Sequence, residues 1–253
     1  MEKFFVGWHM PTNGASGTQH FDYCCISVNR LLKRQSRFAV NNWLLDSGAF
    51  PRISRLYSYK GHLSTKQYAS EILRWKDNGN LLAAVTQDFM CESMVLASTG
   101  LTIADHQYLT IHRYDRLISL LHDSGVYINA RTSRLDFFGI RTAFIRLCDR
   151  IGKNAWVGVG SVCKRQGKTQ EIANILKAIL SVRPDLRLHG FGVKKTALQY
   201  PPVWSMLYSA DSAAAGLSRG KGKNKYVDSH NPQVALEYAK SIKPNRFYQL
   251  SLF

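Results

Sequence analysis

Short apolar runs alternate with amphipathic helical patterns along most of the chain, and this alternation restricts the possible folds more than any other feature. The strand-like runs lie at residues 4–8, 42–46, 81–88, 126–130, 156–160, 186–193 and 204–211. Helical patterns lie between them at residues 65–78, 104–125, 141–152 and 169–182. Strands that alternate with helices of this length predict a parallel sheet with helices on its outside.

The number of these units favours a closed barrel. About seven units in a chain of 253 residues predict an α/β fold of the (β/α)8 type, a TIM-like barrel. The terminal segment RFYQLSLF, residues 246–253, is a candidate for the closing strand. A doubly wound open sheet is the alternative, but no strand is followed by the glycine-rich dinucleotide fingerprint of that fold. We expect a single domain over residues 1–253, with a basic mobile loop at about 217–228.

The charge balance indicates a polyanionic partner. The chain has 34 Lys and Arg residues against 17 Asp and Glu residues, a formal net charge of +17. Such an excess favours nucleic acid through counterion release, and a basic enzyme without such a partner is the alternative. No apolar stretch is long enough to cross a bilayer, and the start MEKFFVGWHMP is interrupted too early for a signal peptide. We therefore expect a cytoplasmic protein that does not contact a membrane.

Three aspartates follow apolar runs at predicted strand ends. Asp46 lies in LLDSGAF, Asp88 in AVTQD and Asp211 in YSAD, and we take them as the ends of the second, third and seventh predicted strands. A single aspartate in such a position usually caps a turn. In a (β/α)8 barrel, however, the functional groups gather where strands end, so a carboxylate active site is the alternative.

Five short motifs carry a family resemblance. DSGAF, at 46–50, resembles the DSGGF-type signature of tRNA-guanine transglycosylases. The ordered segments QDFMCE at 87–92, GVGSVCKR at 158–165, LHGFGVK at 188–194 and SADSAA at 209–214 are more similar to the DNA-directed relatives of those enzymes, the deoxypurine-in-DNA protein A (DpdA) family. The resemblance extends over nearly the whole predicted barrel.

The resemblance implies a role for each matching residue. Asp211 corresponds to the nucleophile that attacks the sugar C1′ and forms a covalent glycosyl-enzyme. Asp46 corresponds to the general acid and base that serves the departing and the incoming purine, and Asp88 to the acid that reads the purine's N–H donors. The residues implied to line the base site are Ser47, Gly48, Gly158, Val159, Gly160, His189, Gly190 and Gly192.

The chain departs from the family pattern of the tRNA enzymes in two places. They carry a CxCxxC and His zinc site after the nucleophile, whereas residues 209–230 contain His230 and no cysteine. We therefore expect no metal, no cofactor and no zinc-binding subdomain. The family also places a glutamine on a strand that here reads VYINARTS, and whether Asn129 or Arg131 replaces it, or the base is read differently, is left open.

Basic residues near the predicted strand ends are candidates for phosphate contacts with DNA. They are Lys164, Arg165, Lys194 and Lys195, together with Arg219, Lys221, Lys223 and Lys225 of the basic loop. A merely solvated run of charge is the alternative for that loop.

The resemblance implies a DNA-guanine transglycosylase, a pentosyltransferase that exchanges guanine in DNA for a 7-deazaguanine derivative such as 7-cyano-7-deazaguanine. DNA and the deazapurine base would be its two substrates. The resemblance further implies a bacteriophage or mobile-element setting in which the altered base protects DNA from restriction. The alternatives are a tRNA-guanine transglycosylase, a guanine-releasing DNA glycosylase and a non-catalytic DNA-binding barrel.

Overall fold

The computed structural model describes residues 1–8, 10–14, 17–49, 59, 61–132, 150–160, 162–163, 165, 167–214 and 231–244. Nine strands belong to one sheet, and every pairing between them is parallel. The strands are β1 (Lys3–Gly7), β2 (Tyr23–Ser27), β3 (Asn42–Asp46), β4 (Asn80–Val85), β5 (Ile128–Asn129), β6 (Arg131–Thr132), β7 (Trp156–Val159), β8 (Arg187–Gly190) and β9 (Ser209–Ser212).

The sheet curls into a barrel with eight strand positions. Its order is β5-β4-β3-β2-β1-β9-β8-β7-β6, so the two ends of the order are β5 and β6. Only Ala130 separates these two short strands in the chain, and its carbonyl accepts a hydrogen bond of 2.7 Å from the backbone N–H of Gly158. β5 and β6 therefore occupy one strand position, and the predicted (β/α)8 barrel is confirmed.

One barrel strand was not predicted. β2, with the sequence YCCIS, pairs with β1 on one side and with β3 on the other. The ordinal positions that we predicted for the aspartates are therefore wrong: Asp46 ends the third strand, and Asp211 lies within the strand at the eighth position. The candidate closing strand at 246–253 and the basic loop at 217–228 lie outside the described residues.

The helices are α1 (Thr65–Trp75), α2 (Ser93–Thr99), α3 (Ile103–Leu120), α4 (Thr169–Val182), α5 (Lys195–Leu198), α6 (Pro201–Met206) and α7 (Pro232–Lys240). The predicted helix at 141–152 falls mostly outside the described residues. The predicted strand at 204–211 is wrong in its first half, because Pro201 and Pro202 begin α6, where a missing N–H removes no helical hydrogen bond. No helix in the described part of the chain is both long and apolar enough to span a membrane.

Alternation of side chains along the strands decides what points into the barrel. The apolar centre of the barrel is a cluster of Phe5, Cys25, Leu44, Ala83 and Trp156. Two larger clusters lie outside it, between the strands and the helices. Because successive side chains alternate between the two faces, Asp46 points to the same side as the inward-facing Leu44 two residues earlier.

Candidate active site

Charged side chains from several strands meet inside the barrel at the carboxyl ends of its strands. Burial alone lowers the pKa of the Arg131 guanidinium, but the nearby carboxylates of Asp88, Asp46 and Asp211 together raise it above its ordinary value. Arg131 is buried, so these attractions act with little screening by solvent. The structure therefore brings together the three aspartates that the sequence analysis singled out. They lie around Arg131, which the sequence analysis named only as one possible replacement for the family glutamine.

Asp46 is held at the end of β3 by the turn that follows it. The backbone N–H of Gly48 donates a hydrogen bond of 2.9 Å to Oδ2 of Asp46. Gly48 has φ of +71°, and a Cβ at this position would lie 2.3 Å from Nδ2 of Asn29, so both conformation and space require glycine. Burial raises the pKa of Asp46 to about 6, although Arg131 and the Gly48 N–H oppose this rise. Asp46 can therefore gain and lose a proton near neutral pH.

Two N–H donors converge on one oxygen of Asp211. Nε2 of His189 lies 3.2 Å from Oδ1, and the backbone N–H of Gly192 donates to the same oxygen at 3.0 Å. Gly192 has φ of +62°, a conformation that suits glycine and aims its N–H at the carboxylate. Within the part of the chain that the structure describes, no hydrogen bond to Oδ2 of Asp211 is formed. The two donors therefore hold the carboxylate in place through Oδ1.

A hydrogen-bonded chain behind Asp211 sets the protonation of His189. The indole N–H of Trp156 donates to Oγ of Ser209 at 2.7 Å, and that oxygen lies 2.9 Å from Nδ1 of His189. An indole nitrogen can only donate, so Oγ of Ser209 accepts from Trp156 and is free to donate its own proton to Nδ1. A carboxylate oxygen can only accept, so the contact with Asp211 places the imidazole proton on Nε2, and Nδ1 accepts from Ser209.

Asp88 and Arg131 form one wall of the site. Nη1 of Arg131 lies 3.2 Å from Oδ1 of Asp88, and the two side chains are only 7% and 3% exposed. The guanidinium also lies over the ring of Phe191, 4.5 Å from its centroid. Ion pairing and stacking together hold Arg131 in one orientation.

Several buried polar atoms at this end of the barrel have no hydrogen-bond partner among the described residues. They are Oγ of Ser47, Oδ1 of Asn129 and Nε of Arg131, whereas Oδ1 of Asp88 has its ion pair with Arg131 and no further hydrogen bond. Asn129 uses its Nδ2 to donate to the Trp156 carbonyl at 2.9 Å, which leaves its carbonyl oxygen as an acceptor. Buried donors and acceptors rarely stay unpaired, so this set indicates a ligand with hydrogen-bonding edges.

The glycines that were expected to lie against a base have other close neighbours. A Cβ on Gly158 would lie 2.2 Å from Cε2 of Phe191, and one on Gly190 would lie 2.8 Å from Cγ2 of Val193. Packing within the protein therefore accounts for the need for glycine at both positions. Val159 belongs to an outer core cluster, and Gly160 follows β7 in a buried position.

Of the basic residues predicted to bind phosphate, three are described. Arg165 lies 3.4 Å from Glu171, and Lys194 is exposed immediately before α5. Lys195 is half-buried, and its backbone N–H donates to the hydroxyl of Tyr238. The other five, Lys164, Arg219, Lys221, Lys223 and Lys225, lie outside the described residues.

Sequence reasoning missed the parts played by Ser209 and Trp156, and it gave Arg131 only as an alternative. A signal for two of them was present. Ser209 is two residues from Asp211, and Arg131 two residues from Asn129, so strand alternation places each pair on one face. The contact between Trp156 and Ser209 joins residues 53 positions apart, and nothing in the local pattern indicates it.

Comparison with known proteins places these residues in a family. The family model described as DpdA, DeoxyPurine in DNA protein A, matches residues 1–230 of the chain. The match includes all nine strands and every site residue described above. A comparison with curated protein sequences finds no match.

Proposed function

We propose that this chain, which belongs to the DpdA family of DNA-modifying transglycosylases, exchanges guanine in DNA for a 7-deazaguanine derivative. The observation that carries the proposal is the contrast between two carboxylates in one site. Asp46 has a pKa raised to about 6, whereas Asp211 is anchored through one oxygen by two N–H donors. A proton donor beside an oriented nucleophile is the arrangement that retaining glycosyl transfer requires.

In the first step, the guanine base leaves and the sugar becomes attached to the enzyme. Oδ2 of Asp211 attacks C1′, the bond between C1′ and N9 breaks, and its electron pair goes to the purine. Protonated Asp46 delivers a proton to the departing base. A neighbouring carboxylate stabilises the oxocarbenium character that develops at C1′ before the covalent ester forms.

In the second step, the incoming base reverses these changes. Asp46, now ionised, takes the proton from N9 of the 7-deazapurine, and N9 attacks C1′. The ester bond to Asp211 breaks and returns the carboxylate. Both steps are substitutions at one carbon, so proton and electron pair balance between the two bases and the two aspartates.

Base recognition is assigned to the wall opposite the nucleophile. Guanine and its 7-deaza analogues present N–H donors on the Watson–Crick edge, for which Asp88 and the free carbonyl oxygen of Asn129 are suitable acceptors. The guanidinium of Arg131 has a buried Nε without a partner among the described residues, and it suits the carbonyl O6 of the base. The base would enter only after extrusion from the DNA stack, because C1′ cannot reach a barrel mouth while the base is stacked.

A labelled 7-deazaguanine base, incubated with enzyme and either duplex DNA or tRNA, tests the proposal. Mass spectrometry of the digested nucleosides should show label in a deoxynucleoside and free guanine in equal amount. Label only in tRNA would overturn the choice of DNA as substrate. Free guanine and abasic sites without incorporated label would instead identify a DNA glycosylase. If the modification occurs in a bacteriophage, the same nucleoside should make its DNA resistant to restriction nucleases.

A further inference from the structure

A basic cavity lies beside the catalytic mouth, between the start of α1 and the middle of α3. Its volume is about 320 Å³, and its lining consists of Ser64, Thr65, Lys66, Phe89, Leu109, His112, Arg113 and Arg116. Phe89 directly follows Asp88, so the cavity is one residue along the chain from the proposed base-reading acid. It contains none of the residues assigned above to base exchange.

Among the described residues that line the cavity, several are cations and none is a carboxylate. Three of its residues, Lys66, Arg113 and Arg116, are permanent cations at neutral pH. Among the described residues, no ion pair joins any of these three to an acidic side chain. Asp88 attracts Arg113 from outside the lining, so the charge of the cavity is only partly compensated among the described residues.

Arg113 shows most directly that a partner is missing. Its Nη1 is buried and has no hydrogen-bond partner among the described residues, and its guanidinium lies 4.4 Å from the centroid of the Phe89 ring. Burial lowers the pKa of this guanidinium, which means that its charge is held at a cost in free energy. Stacking on Phe89 fixes the planar donors in place, as in sites that bind phosphate oxygens.

The end of α1 adds a second source of positive potential. Ser64 caps this 11-residue helix, and its first-turn residues Thr65 and Lys66 line the cavity. The partial positive charge at a helix start favours an anion there. Together with Arg113, it indicates an anion with several acceptor oxygens rather than a single chloride-like charge.

The position of the cavity in the barrel indicates which anion it receives. α1 follows β3, whereas the exposed Lys194 follows β8, four strand positions away in a ring of eight. The start of α1 and Lys194 therefore lie on opposite sides of the mouth. A nucleotide extruded into the barrel remains joined to its DNA strand through a phosphate on each side. The strand would therefore cross the mouth between the start of α1 and Lys194, with phosphates on both sides.

We infer that the α1–α3 cavity binds a backbone phosphate of the DNA strand next to the extruded guanosine. The inference rests on the proposed function, because it takes the reacting strand as the occupant. A free phosphate or nucleotide has the same chemistry, so the experiment must separate the two sources.

The test compares two double variants in an Asp211→Asn background, in which base exchange cannot contribute to binding. Lys66→Gln with Arg116→Gln removes two exposed cations from the cavity, and Arg37→Gln with Lys177→Gln removes two exposed cations elsewhere. DNA affinity is measured over a range of salt concentrations. We expect the cavity variant to bind about tenfold more weakly and its salt slope to fall by about one per lost phosphate contact, while the control changes little.

Each other outcome has a definite meaning. Equal effects in the two double variants would show that only net charge matters and would overturn the inference. If inorganic phosphate raises the melting temperature of the parent but not of the cavity variant, and DNA binding is unchanged, the occupant is a free phosphate and the DNA assignment is wrong. A parent that does not bind DNA would also overturn it.

Base exchange by the protein with Asp211 intact separates this inference from the proposed function. If the protein exchanges bases but the cavity variant binds DNA with the same salt slope as the parent, the phosphate site is refuted and the proposed reaction stands. If the cavity variant has a reduced salt slope but the protein with Asp211 intact does not exchange bases, the proposed reaction is refuted and the phosphate site stands.

Discussion

Nε2 of the fully buried His189 lies 3.2 Å from Oδ1 of Asp211, and this pair connects the interior of the barrel to its proposed nucleophile. The imidazole is held from behind by Ser209 and in front by the carboxylate. Because a carboxylate can only accept, the proton on His189 lies on the side that faces Asp211, and the hydroxyl of Ser209 can donate to the other ring nitrogen. In the proposed reaction, His189 is therefore a positioning residue, and the consequences can be measured.

Ser209→Ala should loosen the nucleophile without removing it. The change deletes the hydroxyl that selects the His189 tautomer, so we expect the rate of base exchange to fall by about tenfold, with little change in the KM for DNA. It also leaves the buried indole N–H of Trp156 without an acceptor, which should cost about 1–3 kcal/mol of unfolding free energy. Exchange kinetics and urea denaturation measure the two effects separately.

Trp156→Phe is the matched comparison for that variant. It removes the indole donor, whereas the hydroxyl of Ser209 can still donate to Nδ1 of His189. We expect a smaller loss of rate than in Ser209→Ala. A larger loss would mean that filling the barrel centre, and not the direction of the hydrogen bonds, determines the rate.

Asp211→Asn should abolish exchange while leaving the fold intact. Asn keeps the shape of the side chain and an oxygen that can accept from His189 and Gly192, but it lacks a nucleophilic charge. We expect the rate to fall by at least about a thousandfold and the covalent adduct with a DNA oligonucleotide, seen on a denaturing gel, to disappear. Retention of the adduct would assign the nucleophile to another residue.

Asp46→Asn should stabilise the protein at high pH while it inactivates the enzyme. The folded state raises the pKa of Asp46 from 3.8 to about 6, so the folded protein holds this proton more tightly than the unfolded chain. Ionisation of Asp46 therefore costs stability, by up to about 3 kcal/mol above the folded pKa, and the cost disappears as pH falls towards the unfolded value. Urea denaturation should show the Asn variant more stable at about pH 8, with the gain shrinking by about pH 4.5.

The raised pKa of Asp46 also predicts how the reaction rate depends on pH when Asp46 is intact. Release of guanine in a single turnover requires protonated Asp46, so its rate should fall as pH rises through about 6. A rate that stays flat through this range would remove Asp46 from the role of acid.

Arg131→Met should destabilise the protein most at high pH. The change leaves the buried carboxylate of Asp88 without its ion-pair partner, which should cost about 3–5 kcal/mol. Arg131 also attracts the carboxylate of Asp46, whose pKa is raised to about 6 by burial. Because protonation of Asp46 removes one of the negative charges left without Arg131, the loss should be smaller at about pH 5 than at about pH 8. A second change, Asp88→Asn, should restore part of the stability, and failure to do so would mean that packing on Phe191 is the main contribution of Arg131.

The sequence predicted the barrel and the aspartates because both rest on local patterns. Apolar runs, helical periodicity and an acid at the end of a run can all be read within a few residues, as in NWLLD before SGAF. β2 was missed since YCCIS is short and its buried positions include two cysteines, which contribute apolar surface without a strong strand preference. The first half of the predicted strand at 204–211 was wrong because Pro201 and Pro202 indicate a helix start, and this signal was not weighed against the apolar residues that follow.

The relations between distant residues could not be predicted in this way. The contact of Trp156 with Ser209 and the pairing of Arg131 with Asp88 depend on which strands become neighbours and how far their registers are offset. The basic cavity combines the start of α1 with the second to fourth turns of α3, and neither segment is unusual by itself. Such sites follow from the packing of the barrel and not from any one segment.

Phe191 joins the two halves of the site through a single aromatic ring. The ring centroid is 4.4 Å from that of His189, the guanidinium of Arg131 lies over its face, and its edge fills the space above Gly158. A substitution that reshapes this wall to admit a different purine would also displace the imidazole that orients the nucleophile. Under the proposed function, base selectivity and turnover are therefore coupled through this ring, and a variant designed to accept a new base without a slower reaction should keep Phe191.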